Sequence, residues 1–157
     1  MLAIVGSMMW MMPSPRQRVQ AILRQHAMRS GLQVQISNLL FPRAIGEHVA
    51  DERHCTAYRL GRTKSCSASG YIPWHVFRLQ AHANTGLPAG WCWGKGEGDF
   101  DADKLGLIAQ MINAMPADVY SIESTPVAVS VYWNENGKQE TVDQMKIEMQ
   151  RLIDCGL

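Results

Sequence analysis

Residues 119–133 read Val-Tyr-Ser-Ile-Glu-Ser-Thr-Pro-Val-Ala-Val-Ser-Val-Tyr-Trp, and after Asn134-Glu-Asn-Gly137 residues 141–153 read Thr-Val-Asp-Gln-Met-Lys-Ile-Glu-Met-Gln-Arg-Leu-Ile. The first part is rich in β-branched and aromatic residues, which suit a pleated, buried surface, so 119–124 and 127–133 are expected to be strands. Asn136-Gly137 is a strong turn signal. Thr141 is expected to begin a last helix, with Gln144 placed for a capping box. Met145, Met149, Leu152 and Ile153 recur at helical spacing as its buried stripe, and Gly156 ends it.

Working toward the N-terminus, Asp101 or Asp103 can cap a helix whose Leu105, Ile108, Ala109, Ile112 and Met115 form one apolar stripe, and Pro116 stops it. Residues 84–98 are Gly-rich with two Trp and are expected to be an ordered loop. Three strands are expected before it: one in which Leu32, Val34 and Ile36 alternate with Gln33, Gln35 and Ser37, one over 54–60, and one from Trp74 to Ala81. Ser14-Pro15 starts a first helix, in which Val19, Ile22, Leu23, His26 and Ala27 share a face and Gly31 is the stop. The order α-β-β-β-α-β-β-α implies an α+β, two-layer sandwich. Its sheet is mixed and mostly antiparallel, with helices on one face, and a short hydrophobic segment precedes it.

That segment, residues 1–12, reads Met-Leu-Ala-Ile-Val-Gly-Ser-Met-Met-Trp-Met-Met and carries no charge. Residues 1–13 therefore form a hydrophobic stub or partial membrane anchor, and 14–157 a single domain. A dozen helical residues span roughly 18 Å, whereas a bilayer core is about 30 Å thick. Three readings stay open: half of a spanning helix with an internal start, an interfacial or partner-embedded anchor, and a segment buried in the domain. A signal peptide is disfavoured because the basic residues follow the apolar run. Trp10 fits an aromatic-belt position, and Arg16, Arg18, Arg24 and Arg29, with no acid before Glu47, make the following side cytoplasmic by the positive-inside rule.

Charge is divided along the chain. Residues 1–93 carry ten Lys/Arg against three acids, a net of +7, and residues 94–157 five against eleven, a net of −6. Either the basic part lies near an anionic surface, or the two parts interleave and neutralise each other. Four cysteines without a Cys-x-x-Cys pair read as free thiols in a reducing compartment.

Each candidate for chemistry meets a plainer reading. Asp99, Asp101 and Asp103 alternate as in a calcium loop, but Lys104 and Gln110 stand where Gly and Glu are needed, and acids favour a helix start anyway. Gly94-Lys-Gly96-Glu-Gly98 lacks phosphate-loop spacing and carries Glu97. Trp91-Cys92-Trp93 has Lys95 where a redox pair needs its second Cys. A nucleophilic Cys92 with His75, or with His82 and Asn84, is conceivable. His54, Cys55, Cys66, His75, His82 and Cys92 lack zinc spacing. Residues 53–64 are basic and include Tyr58, without a nucleic-acid motif. No catalytic residue, cofactor or metal is assigned, and no nucleic-acid partner is expected.

The string Met12-Pro-Ser-Pro-Arg-Gln-Arg18 after an apolar run resembles the membrane-exit segment of the preprotein translocase accessory family labelled YajC. The resemblance covers about the first twenty residues. It implies one N-terminal membrane helix, a Pro/Arg/Gln-rich junction and a small cytoplasmic domain. The remainder is closer to bacterial singly anchored proteins that share that label loosely. The resulting expectation is a non-enzymatic accessory or interaction protein of a bacterial inner-membrane complex. Trp10, Arg16, Arg18, Arg24, Trp74, Trp91 and Trp93 would touch membrane or partner. The alternatives are a small cytosolic enzyme with a thiol or hydrolase site near Cys92, and a soluble homo-oligomer that swaps its N-terminal segment.

Overall fold

A computed structural model describes residues 14–46, 49–63 and 71–157. In chain order the elements are α1 (Pro15–Arg29), β1 (Gln33–Leu40), β2 (Glu52–Gly61), β3 (Trp74–Phe77), β4 (Cys92–Lys95), α2 (Ala102–Ala114), β5 (Val119–Ser124), β6 (Ala128–Trp133) and α3 (Gln139–Asp154). The fold is α+β. The strands form one six-stranded sheet in the order β1-β2-β6-β5-β3-β4, and every neighbouring pair is antiparallel.

The hairpin β5–β6 inserts between β2 and β3, so the stretch from Val119 to Trp133 supplies the two central strands. Its sequence accounts for this place. All six residues of β6 are buried, and Val129, Val131 and Trp133 point into the same core as Tyr58 and Ile122. Thr125 closes the hairpin by accepting from Ala128 N and donating back to Ala128 O.

Among the described residues, helices cover one face only. Leu23 and Ala27 of α1, Ile108, Met111 and Ile112 of α2, and Val142, Met145, Met149 and Leu152 of α3 all enter one large cluster. A second, smaller cluster on the opposite face contains Leu39, Phe41, Cys55, Ala57, Phe77, Ala81, Cys92 and Tyr132, with no helical residue. Here the segment after β1 folds over the sheet: Phe41 meets Phe77 at 5.5 Å and Tyr120 at 6.2 Å between ring centres.

Helix starts follow the side chains that satisfy free backbone N–H groups. Ser14 Oγ accepts from Gln17 N while Gln17 Oε1 accepts from Ser14 N. Asp101 accepts from Lys104 N, which settles the Asp101/Asp103 choice. The last helix begins earlier than expected. Lys138 is the cap and Thr141 sits one turn in, accepting from Lys138 N, so the Thr141–Gln144 box does not form. Two further expectations need correction. The strand from Trp74 ends at Phe77: the chain turns after Arg78, where Leu79 N donates to Phe77 O, and the Arg78 side chain donates to Val119 O and Pro116 O. Residues 92–95, expected within a loop, are β4, whose four residues are too few to show an alternation.

Candidate functional site

The expected contact residues fall into three groups. Trp10 lies outside the described residues. Arg16 and Arg18 are exposed on α1, and Arg16 donates to Asn134 Oδ1 at 3.0 Å. Trp74, Trp91 and Trp93 are corrected: each is at most 4% exposed and belongs to the main core, so none presents its ring to a partner in this fold. Trp91 lies beneath the Arg78 guanidinium, and Trp93 stacks on Phe100 and donates to Thr85 O at 2.9 Å.

Arg24 is also engaged internally. It donates two hydrogen bonds to Glu135, from Nε at 2.7 Å to Oε1 and from Nη2 at 2.5 Å to Oε2. Thr56 Oγ1 donates to Oε2 at 2.9 Å and Tyr58 OH to Oε1 at 3.1 Å. The Glu135 side chain is 1% exposed and its backbone φ is +58°, an uncommon place for a non-glycine residue. The hydrogen bonds to Glu135 raise the Arg24 pKa against the opposing cost of burial. Burial, with the Glu135 charge, raises that of Tyr58. This node fixes α1 to β2 and to the turn after β6. Nothing local in Asn-Glu-Asn-Gly marks it, since a polar turn ordinarily lies in water. His26 also meets Asp143 at 2.7 Å, so basic α1 and the acidic C-terminal third partly interleave.

On the helix-free face, direct cross-strand pairing sets Arg59, Ser130, Glu123, His75 and Lys95 in one row across five strands. Ser121 and Tyr132 lie in the adjoining row. Arg59 donates to Ser130 Oγ, Tyr132 donates to Glu123 Oε2 at 2.7 Å, and His75 Nε2 shares a very short hydrogen bond with Ser121 Oγ. His75 lines a cavity of about 250 Å³ with Leu40, Phe41, Pro42, Phe77 and Gly94. Gly94 is required there, because an added Cβ would fall 2.4 Å from the Phe77 ring.

Burial pushes the His75 pKa down to about 4, against the opposing pull of Glu123. The folded protein therefore favours neutral His75, while the unfolded chain takes up its proton near pH 6.5. The stability this provides is complete above pH 6.5 and is lost as pH falls toward 4. The shift corresponds to a loss of up to about 3 kcal/mol, which chemical denaturation at stepped pH will read. In His75→Gln that decline is expected to be markedly shallower, and an unchanged slope would exclude His75 as its source.

The thiol proposal meets an unfavourable geometry. Cys92 pairs with Phe77 in the β3–β4 ladder, so it shares a face with His75 but lies one side chain beyond it. Among the described residues no hydrogen bond joins Cys92 to His75, His82 or Asn84. His75 Nε2 is occupied by Ser121, and Asn84 donates to Ala81 O. Cys92 is fully buried, and burial raises its pKa, which holds it as the thiol where a nucleophile needs the thiolate. Ser121 is fully buried as well.

The remaining candidates are structural. Gly96, at φ +93°, passes close to Trp74, and Glu97 accepts from Thr85 N and Oγ1. The described residues contain no group of three or more His, Cys, Asp or Glu side chains placed to hold a metal ion, and Cys66 lies outside them. In the basic 53–62 segment Tyr58 is buried, Arg53 pairs with Asp51, and Arg62 donates to Tyr71, Ser124, Thr125 O and Leu157 O. Cys55, Cys92 and Cys155 are free thiols. Among the described residues no helix is long and apolar enough to cross a membrane. No family model, curated protein or solved structure matches the chain.

Proposed function

We propose that this chain is a non-enzymatic accessory protein of a bacterial inner-membrane complex, with the α+β domain on the cytoplasmic side. The observation that carries the reading is the state of α1. This helix follows directly on the apolar residues 1–12 and is fastened to the domain through Arg24 and Glu135. Exposed Arg16 stands at its N-terminal end, and its outer side combines exposed Arg18 and Arg29 with Val19 and Ile22, which are 47% and 51% exposed. Basic and apolar side chains together on a rigid helix suit an anionic lipid surface or the juxtamembrane helices of a partner. The burial of Cys92 and the hydrogen bond of His75 to Ser121 weigh against the thiol-enzyme alternative.

Flotation of the full chain with vesicles tests this. Binding is expected with phosphatidylglycerol-containing vesicles and to weaken as salt rises. Three juxtamembrane cations contribute about 3 kcal/mol together, so Arg16→Gln, Arg18→Gln and Arg29→Gln combined should weaken binding about a hundredfold. Equal binding of wild type and triple variant to anionic vesicles would sink the proposal.

A further inference from the structure

The two edges of the sheet are built differently. β4 is four residues long, contains Gly94 and Lys95, and lies opposite a register shift between His75 and Val76. Short length, charge and irregular pairing are the means by which sheets discourage edge pairing. β1 has none of them. Its eight residues, Gln-Val-Gln-Ile-Ser-Asn-Leu-Leu, include no charge, Pro or Gly, and all eight pair with β2 without a bulge. Among the described residues no strand pairs with its outer side.

The side chains along that edge are uncharged, four apolar and four polar, where a solvated edge would carry charge. Ile36 is 67% exposed and Leu40 64%. Both share the helix-side parity of Val34, which packs on the main core, so the alternation continues past the point where helices cover the sheet. Gln20 and Arg24 of α1 border a cavity with Ile36, and Met28, one turn beyond Arg24 on the same stripe, is 57% exposed.

We propose that β1 is the seam of a two-fold homodimer, in which the β1 strands of two copies pair antiparallel and join their sheets into one. An acidic or basic partner strand would be selected by charge, but β1 carries none and the adjacent Arg24 is already neutralised by Glu135. A lipid surface is excluded as occupant because open sheet edges do not enter hydrocarbon. A second copy presents an uncharged strand of equal length, so no like charges meet across the strand pair.

Geometry narrows the register. Residues directly opposite in a sheet share a face, and a two-fold axis perpendicular to the sheet keeps each face on its own side. The axis must then pass midway between one residue and its own equivalent. Centres at Ile36 and at Ser37 each pair seven positions of β1; Ile36, which pairs 33 to 39, is the choice that sets Ile36 against its equivalent and Val34 against Asn38 of the second copy, and keeps Pro42 outside the ladder. This inference is independent of the membrane reading.

The test is sedimentation equilibrium of the full chain in a mild non-ionic detergent, which suppresses association through residues 1–12. Wild type is expected to be a dimer. Ile36→Lys sets two like charges opposite each other and should weaken the dimer at least about a hundredfold while leaving the melting temperature of the monomer unchanged. Ile147→Lys, at an exposed apolar position on α3, should leave the dimer intact. In a Cys66→Ser, Cys155→Ser background, Ile36→Cys should cross-link under mild oxidation and Gln35→Cys should not. A monomeric wild type, a dimer that survives Ile36→Lys, or a dimer that fails to cross-link through Ile36→Cys overturns the proposal.

Discussion

Replacing Glu135 by Ala is expected to destabilise the protein by about 3 kcal/mol, and replacing Arg24 by Ala by somewhat more, up to about 5 kcal/mol, the range for breaking a buried ion pair. The two are unequal for a physical reason. The Arg24 side chain is 32% exposed and water can partly replace what it loses, whereas the Glu135 side chain is 1% exposed. Without Arg24, the carboxylate keeps only the Thr56 and Tyr58 hydroxyls as donors. Without Glu135, the guanidinium and both hydroxyls lose their shared acceptor. In a domain of this size each kcal/mol moves the melting point by about 2–4 °C, so thermal melts should show losses of roughly 6–20 °C. The double variant should be less destabilised than the sum of the singles, with a coupling of about 2 kcal/mol. Strict additivity would show that the pair does not act as a unit. The loss should also appear as hydrogen exchange in α1, since this node is its main polar attachment to the sheet.

Trp74→Ala is expected to cost about 3–5 kcal/mol in the isolated chain, the usual range for removing a fully buried Trp. Trp74 is 1% exposed and lies against the Gly96 backbone, so the cavity left behind cannot be filled by a small shift. Trp74→Phe keeps much of the volume and should lose less. Its indole Nε1 is buried without a hydrogen-bond partner in the described structure, so exchange to Phe forfeits no bond there. The measurement separates two roles. A core Trp destabilises the free protein when removed, whereas a partner-contacting Trp would leave its melting point unchanged. An unchanged melting point for Trp74→Ala would restore it as a contact residue and overturn its place in the core.

These residues also show where sequence reading succeeds. Met145, Met149 and Leu152 were legible as one buried stripe because a helix repeats every 3.6 residues, and burial needs only that one side be apolar. The central hairpin was legible because a strand covered on both faces must be apolar nearly throughout. Trp91 and Trp93 were harder. A Gly-rich stretch reads as loop, and nothing local says whether its aromatic rings turn inward or out. Glu135 was not legible at all. Its burial follows from residues 24, 56 and 58, which lie about 80 to 110 positions away in the chain. His75 could be read only as a lone histidine; its cavity depends on Phe41, which follows the edge strand β1 and packs on Phe77 of β3 on the same face.

The sequence by itself determined the identity and periodicity of most elements, the α+β class, the helix start at Ser14, a second at Asp101 or Asp103, and the basic character of α1. These are local properties, set by side-chain spacing, capping chemistry and charge within a few residues. Only the tertiary structure decided that the last hairpin lies at the centre of the sheet, that three Trp are core, that Glu135 locks α1, and that among the described residues β1 is a long, uncharged edge while β4 is a short, blunted one. Each of those depends on which distant segments pair, and pairing is settled by the burial of the whole apolar surface together.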